Sequence, residues 1–206
     1  MSKLKYITGK TFPPFLSEII QIDPKDLPID ATARIFCQRC GLYNRAILCP
    51  PLLAQTHPQF KTIDSSRKYF NSFKEAYIYI FKNDGRQRWW MKKEHQNFSH
   101  LTLKRRVARQ LKGTEVSSAR WITRRMRKVR QANEKAGFVV DAFIQGHCDL
   151  CSRKCPNREN PPCIRGGLAS LEACGINVYQ LLRDLGIDYE YPVVNYLTQV
   201  TMMVVA

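Results

Sequence analysis

The chain has 206 residues, with 33 Lys and Arg against 17 Asp and Glu, a net charge of +16. Hydrophobic residues at 44% and charged residues at 24% are the proportions of a folded chain, which excludes general disorder and leaves room for one well-buried domain. No apolar run reaches spanning length and no charged start leads into an apolar cleavage-site segment, so a cytoplasmic protein with reduced thiols and no membrane partner is expected.

In chain order, residues 1 to 35 carry turn signals at Pro13-Pro14, Pro24 and Pro28 around a short apolar piece, "FLSEII". A first cysteine group follows in "FCQRCGLYNRAILCPP". The stretch "SRKYFNSF" then leads into "EAYIYIFKNDG", whose alternating aromatic and β-branched residues end in an Asn-Asp-Gly turn and predict a strand. Residues 86 to 114 are polar, basic and aromatic, and a helix is expected over about Ser117 to Lys135. "GFVVDAFIQG" predicts a second strand, which delivers the chain to a second cysteine group. "GGLASLEACG" reads as a short helix stopped at Gly175, which suits the left-handed position after a helix end. Asn177 caps the next helix, "VYQLLRDL", which stops at Gly186, and "DYEYPVVNYLTQVTMMVVA" supplies one or two strands. The expected architecture is a single α/β (α+β) domain over 1–206. It has a small sheet, flanking helices and cysteine-rich, cluster-binding loops at one end.

The cysteines carry the chemistry. All eight stand at Cys37, Cys40, Cys49, Cys148, Cys151, Cys155, Cys163 and Cys174. In the second group, "CDLCSRKCPNRENPPC", a C-x2-C pair lets two thiolates from one tight loop face the same metal, and a third follows before a proline. That punctuation matches ferredoxin-type spacing. Structural zinc sites more usually pair two symmetrical knuckles, so two iron–sulfur clusters, of the [4Fe-4S] type, are expected, with zinc and buried or disulfide-bonded cysteines as the alternatives. The first group holds three thiols, an odd number. Since Cys148, Cys151, Cys155 and Cys163 already make four, Cys174 is the one spare thiol and the expected fourth ligand for Cys37, Cys40 and Cys49.

The segments "CQRCGLYNRAILCPP", "GHCDLCSRKCP", "PPC" and "LEACGINV" resemble a cysteine-rich family known as predicted metal-binding proteins, a domain of unknown function. The resemblance covers the cysteine-bearing parts at 34–55 and 138–180. It implies metal binding by these same cysteines, as iron–sulfur, and it brings no settled reaction. The segment 84–130 departs from the family pattern. Histidine adds little: His147 adjoins Cys148, whereas His57, His95 and His100 have no ligand-like partners. No Ser-His-Asp order, phosphate loop or dinucleotide fingerprint appears.

The charge is concentrated in 84–130, a basic aromatic and helical segment. Between Lys104 and Arg130 there are eleven Lys and Arg and a single acid, Glu115. On a helical wheel Trp121, Ile122, Met126 and Val129 share one arc, with Arg120, Arg124, Arg127, Lys128 and Arg130 mostly opposite. Arg125 falls in the apolar arc, where a carboxylate or an anionic cofactor is expected to meet it. Trp89 and Trp90, among Arg86, Arg88, Lys92 and Lys93, suit stacking on unpaired bases. Arg120, Arg124, Arg127, Lys128, Trp89 and Trp90 are therefore the candidate contacts to RNA or to an acidic protein, against the plainer reading of a solvated helix face.

Together these features predict a cytoplasmic iron–sulfur protein for redox or sulfur chemistry, held on RNA or against an acidic partner. As an enzyme, one cluster would lack a protein ligand and take substrate at iron. The alternatives are an electron-transfer or accessory subunit with both clusters fully ligated, and a zinc-stabilised nucleic-acid-binding module. The sequence does not fix the oligomeric state.

Overall fold

The computed structural model describes residues 16–39, 43, 44, 46, 48–84, 119–146, 148, 150, 163, 166–189 and 196–206. Its centre is a four-stranded sheet in the order β1-β2-β4-β3, antiparallel throughout. The strands are β1 (Leu16–Ile22), β2 (Glu75–Asp84), β3 (Val140–Ile144) and β4 (Tyr196–Val205). The period-two alternation in "EAYIYIF" explains the layering, because successive side chains leave a strand on opposite faces. Ala76, Ile78 and Ile80 enter one buried cluster, whereas Tyr79 and Phe81 enter another. Strand β4 divides in the same way, with Val200, Met202 and Val204 on the first face and Met203 and Val205 on the second. In register, Ile78, Met202 and Phe143 lie side by side across three strands. Both faces are apolar because helices cover both.

The first face takes α3 (Ile63–Phe70), the short turn Pro58–Phe60 and α5 (Val178–Asp184), which bury Phe60, Phe70, Leu181 and Leu182. Helix α1 (Thr32–Arg39) and α2 (Leu52–Thr56) belong to the cysteine-bearing end of the chain. The second face takes α4, described over 119–135, through Ile122, Met126 and Val129, all at most 2% exposed. This is the amphipathic helix that the wheel predicts. It docks by its apolar arc and leaves Arg124 and Lys128 exposed. No helix among the described residues is long and apolar enough to cross a membrane.

Asp141, on the outer strand β3, ties the two helical layers together. One carboxylate oxygen accepts the Tyr69 hydroxyl at 2.8 Å, and the other lies 3.1 Å from the Arg130 guanidinium, which also reaches Glu134 at 2.8 Å. Burial, then the neighbouring Asp141 carboxylate, pushes the Tyr69 hydroxyl far above its ordinary range.

Two local expectations are corrected. The segment 171–175 is a single turn instead of a short helix, closed by bonds from Cys174 N to Ser170 O at 3.1 Å and from Ile176 N to Leu171 O at 2.9 Å. Gly175 ends it with φ +91°, the role expected of it. The segment before the first cysteines is also more than turns, since β1 lies within it and α1 begins at Thr32 and carries Cys37. Helix α5 begins as expected, the Asn177 side chain accepting from Gln180 N at 3.2 Å. Replacing Asn177 with alanine is expected to cost about 1 kcal/mol in urea denaturation.

Candidate metal centre

Strand β3 builds the second cysteine site. As it ends, the segment 169–171 runs alongside it, with Ile144 N donating to Ala169 O at 3.1 Å and Leu171 N to Ile144 O at 2.8 Å. Gly146, at φ +78°, turns the chain while its amide donates to the Glu172 carboxylate. Cys148 then packs against both apolar clusters, at the junction of the layers. Where the chain returns, Gly166 N donates to Cys163 O at 3.1 Å.

Gly167 sits where these pieces meet. A Cβ placed on it would lie 3.0 Å from the Cys148 sulfur, 3.3 Å from the Cys163 sulfur and 2.6 Å from Leu48 Cδ1. Two thiols far apart in sequence thus converge on one residue that has no side chain. Leu48, the neighbour of Cys49, reaches the same place with its side-chain tip.

The first group is held by α1 and by a closed loop. Cys37 lies in the last turn of α1 and is half-buried. Beyond it, Asn44 takes a left-handed conformation, with φ 54°, and its amide donates to Pro50 O at 2.8 Å. Cys49 is buried, and its carbonyl accepts from Leu53 N at 2.9 Å as α2 begins. Cys174 is fully buried against the same apolar cluster that Cys37, Cys148 and Cys163 border. Burial pushes its thiol well above the ordinary range; Asp141, Glu172 and Cys37 act in the same direction, and the Arg34 cation opposes them.

Arg34 is a residue that sequence reading missed. Its guanidinium donates to Phe60 O at 2.7 Å, Lys61 O at 3.0 Å and the Ser66 hydroxyl at 3.2 Å. Burial pulls it below its ordinary value, and the Cys174 and Cys37 sulfurs act against that. No motif marked it, because the bonds run to backbone carbonyls about 27 residues away. Gly167 was missed for a similar reason: its importance lies in what surrounds it.

The structure therefore brings the Cys148 and Cys163 sulfurs together, while Cys174 lies in, and Cys37 borders, the first apolar cluster. Cys40, Cys151, Cys155, His147, Trp89 and Trp90 lie outside the described residues. Among the described residues no group of three or more His, Cys, Asp or Glu is close enough to hold a metal, and no disulfide joins the described cysteines.

On the basic helix, Arg120 and Arg127 are half-buried whereas Arg124 and Lys128 are exposed. Arg127 Cδ comes within 3.9 Å of a Cβ position on Gly166, so α4 lies against the glycine pair beside the two sulfurs. Arg125, for which a carboxylate or an anionic cofactor is expected, meets no carboxylate among the described residues. It is only half-buried and lies over the Trp121 ring at 5.0 Å, where the aromatic face takes the cation.

Thiols that converge on a glycine are the kind of donor that a soft, thiolate-bound metal takes. The chain belongs to the family described as predicted metal-binding protein (DUF2284), whose model matches residues 20–205. No curated protein and no solved structure matches it.

Proposed function

We propose that the metal is iron, held as two iron–sulfur clusters by the eight cysteines, and that this cytoplasmic protein carries out redox or sulfur chemistry. The observation that supports the reading is the convergence of Cys148 and Cys163 on Gly167, where the missing side chain lets two sulfurs approach the backbone closely. The Cys-Pro punctuation after Cys49 and Cys155 favours iron–sulfur over zinc. When bound, such a cluster supplies one-electron chemistry, and an iron short of a protein ligand would also supply a Lewis-acid position. The protein's own residues would position the thiols, pack Leu48 and the apolar cluster beside them, and bring Arg127 of α4 against the glycine pair. If all eight cysteines are ligands, electron transfer follows as the role; a vacant ligand position instead favours an enzyme. Protein purified without oxygen is expected to contain roughly eight iron and eight acid-labile sulfide per chain. Stoichiometric zinc without labile sulfide would favour the zinc-stabilised module.

A second reading concerns the partner. The exposure of Arg124 and Lys128 on the outer side of α4 supports a polyanion, RNA in preference to an acidic protein. Replacing Arg120, Arg124, Arg127 and Lys128 with Gln is expected to flatten the log–log salt dependence of RNA binding by about 0.7 for each phosphate no longer neutralised. An unchanged slope, or no binding at low salt, means a solvated face.

A further inference from the structure

Two thiols that meet can hold a metal, and they can also react with each other. Cys148 and Cys163 are both half-buried, so a small molecule in solution reaches them, whereas Cys49 and Cys174 are buried and shielded. Neither Cys148 nor Cys163 is in a disulfide. Their sulfurs lie 3.0 Å and 3.3 Å from a single point, the Cβ position on Gly167, so their separation cannot exceed the sum of those distances. The backbone is held on both sides of the pair. The Gly146 amide, two residues before Cys148, donates to the Glu172 carboxylate at 3.1 Å, and the Cys163 carbonyl accepts from Gly166 N at 3.1 Å. Holding two thiols together in the folded chain makes the closing step of disulfide formation intramolecular, which favours it over reaction with a second small molecule.

We infer that Cys148 and Cys163 are a redox pair: when metal is absent, a low-molecular-weight disulfide oxidises them to a reversible intramolecular disulfide, which then keeps metal out. The thiolate of one cysteine attacks a sulfur of the small disulfide and expels its other half as a thiol. The thiolate of the second cysteine attacks the resulting mixed disulfide and expels a second small thiol. Two protein thiols are thereby oxidised, one small disulfide is reduced to two thiols, and the two protons lost by the cysteines end on those thiols. A bound metal occupies the same sulfur lone pairs and protects them. In a compartment that keeps thiols reduced, such a bond is transient and regulatory. The regulatory half of this inference rests on the reading that the two cysteines are metal ligands; the closing of the pair does not.

The test uses the full chain purified without oxygen, both metal-loaded and stripped with a chelator. Each form is treated with oxidised glutathione, the remaining thiols are alkylated, and linked peptides are mapped by mass spectrometry. In stripped wild type, Cys148–Cys163 is expected as the dominant link, with a loss of alkylation at both residues that dithiothreitol reverses. Cys163→Ser is expected to stop at a glutathione adduct on Cys148, and Cys148→Ser at an adduct on Cys163. The wild-type map stands without these variants if either folds poorly. Metal-loaded protein is expected to lose neither thiol. A dominant link from Cys148 to Cys151 or Cys155, or glutathione adducts without a Cys148–Cys163 link in stripped wild type, would overturn the inference and leave the metal reading standing. Equal loss of both thiols with and without metal would overturn the switch together with the reading that this pair holds the metal.

Discussion

Replacing Gly167 with alanine is expected to cost about 1–3 kcal/mol and to lower the metal content of the protein. The new methyl group would stand 2.6 Å from Leu48 Cδ1, 3.0 Å from the Cys148 sulfur and 3.3 Å from the Cys163 sulfur. The leucine tip can turn aside, but sulfurs that held a metal could not move without changing its coordination. The neighbouring Gly166→Ala separates this effect from backbone strain. Its φ is +58°, so alanine there carries about 1–2 kcal/mol of left-handed strain, yet the nearest atom to its Cβ is Arg127 Cδ at 3.9 Å. Gly166→Ala is therefore expected to lose stability and keep its metal, whereas Gly167→Ala loses both. Urea denaturation and metal analysis on the two variants decide the point. Full metal occupancy in Gly167→Ala would mean that the cradle is not part of the centre.

Met126→Ala is expected to cost about 2–5 kcal/mol, the usual range for emptying a buried methionine position. Met126 is fully buried between α4 and the second face of the sheet, beside Ile122 and Val129. Lys128→Ala, two residues away on the exposed side, is expected to stay within about 0.5 kcal/mol of wild type. A small cost for Met126→Ala would mean that α4 is not anchored by its apolar arc. The link from this helix to the glycine pair beside Cys148 and Cys163 would then weaken as well.

The parts of this fold that were readable are those where periodicity and burial agree. "EAYIYIF" alternates because both faces of β2 are covered, and "WITRRMRKV" repeats at helical spacing because only one arc of α4 meets the sheet. Asn177 and Gly186 marked α5 because a cap acts through neighbours three residues away. Helix α1 was hidden, since "TARIFCQR" buries only Ala33 fully and leaves Ile35 and Phe36 exposed. Its stability comes from partners distant in sequence: Arg34 to the carbonyls at 60 and 61, and Asp30 to Gly175 and Asn177. The same distinction applies to the site. Cysteine identity and spacing were legible. The convergence on Gly167 and the anchoring of Arg34 on the carbonyls at 60 and 61 depend on segments that meet only in the folded chain.

The central claim is that sulfur from these cysteines holds the metal. X-ray absorption at the edge of the bound metal, on protein purified without oxygen, tests it most directly. The expected result is a first shell of sulfur alone at about 2.3 Å, diminished when Cys148 and Cys163 are both replaced by serine. A first shell dominated by nitrogen or oxygen, or a spectrum that the two replacements leave unaltered, would contradict it.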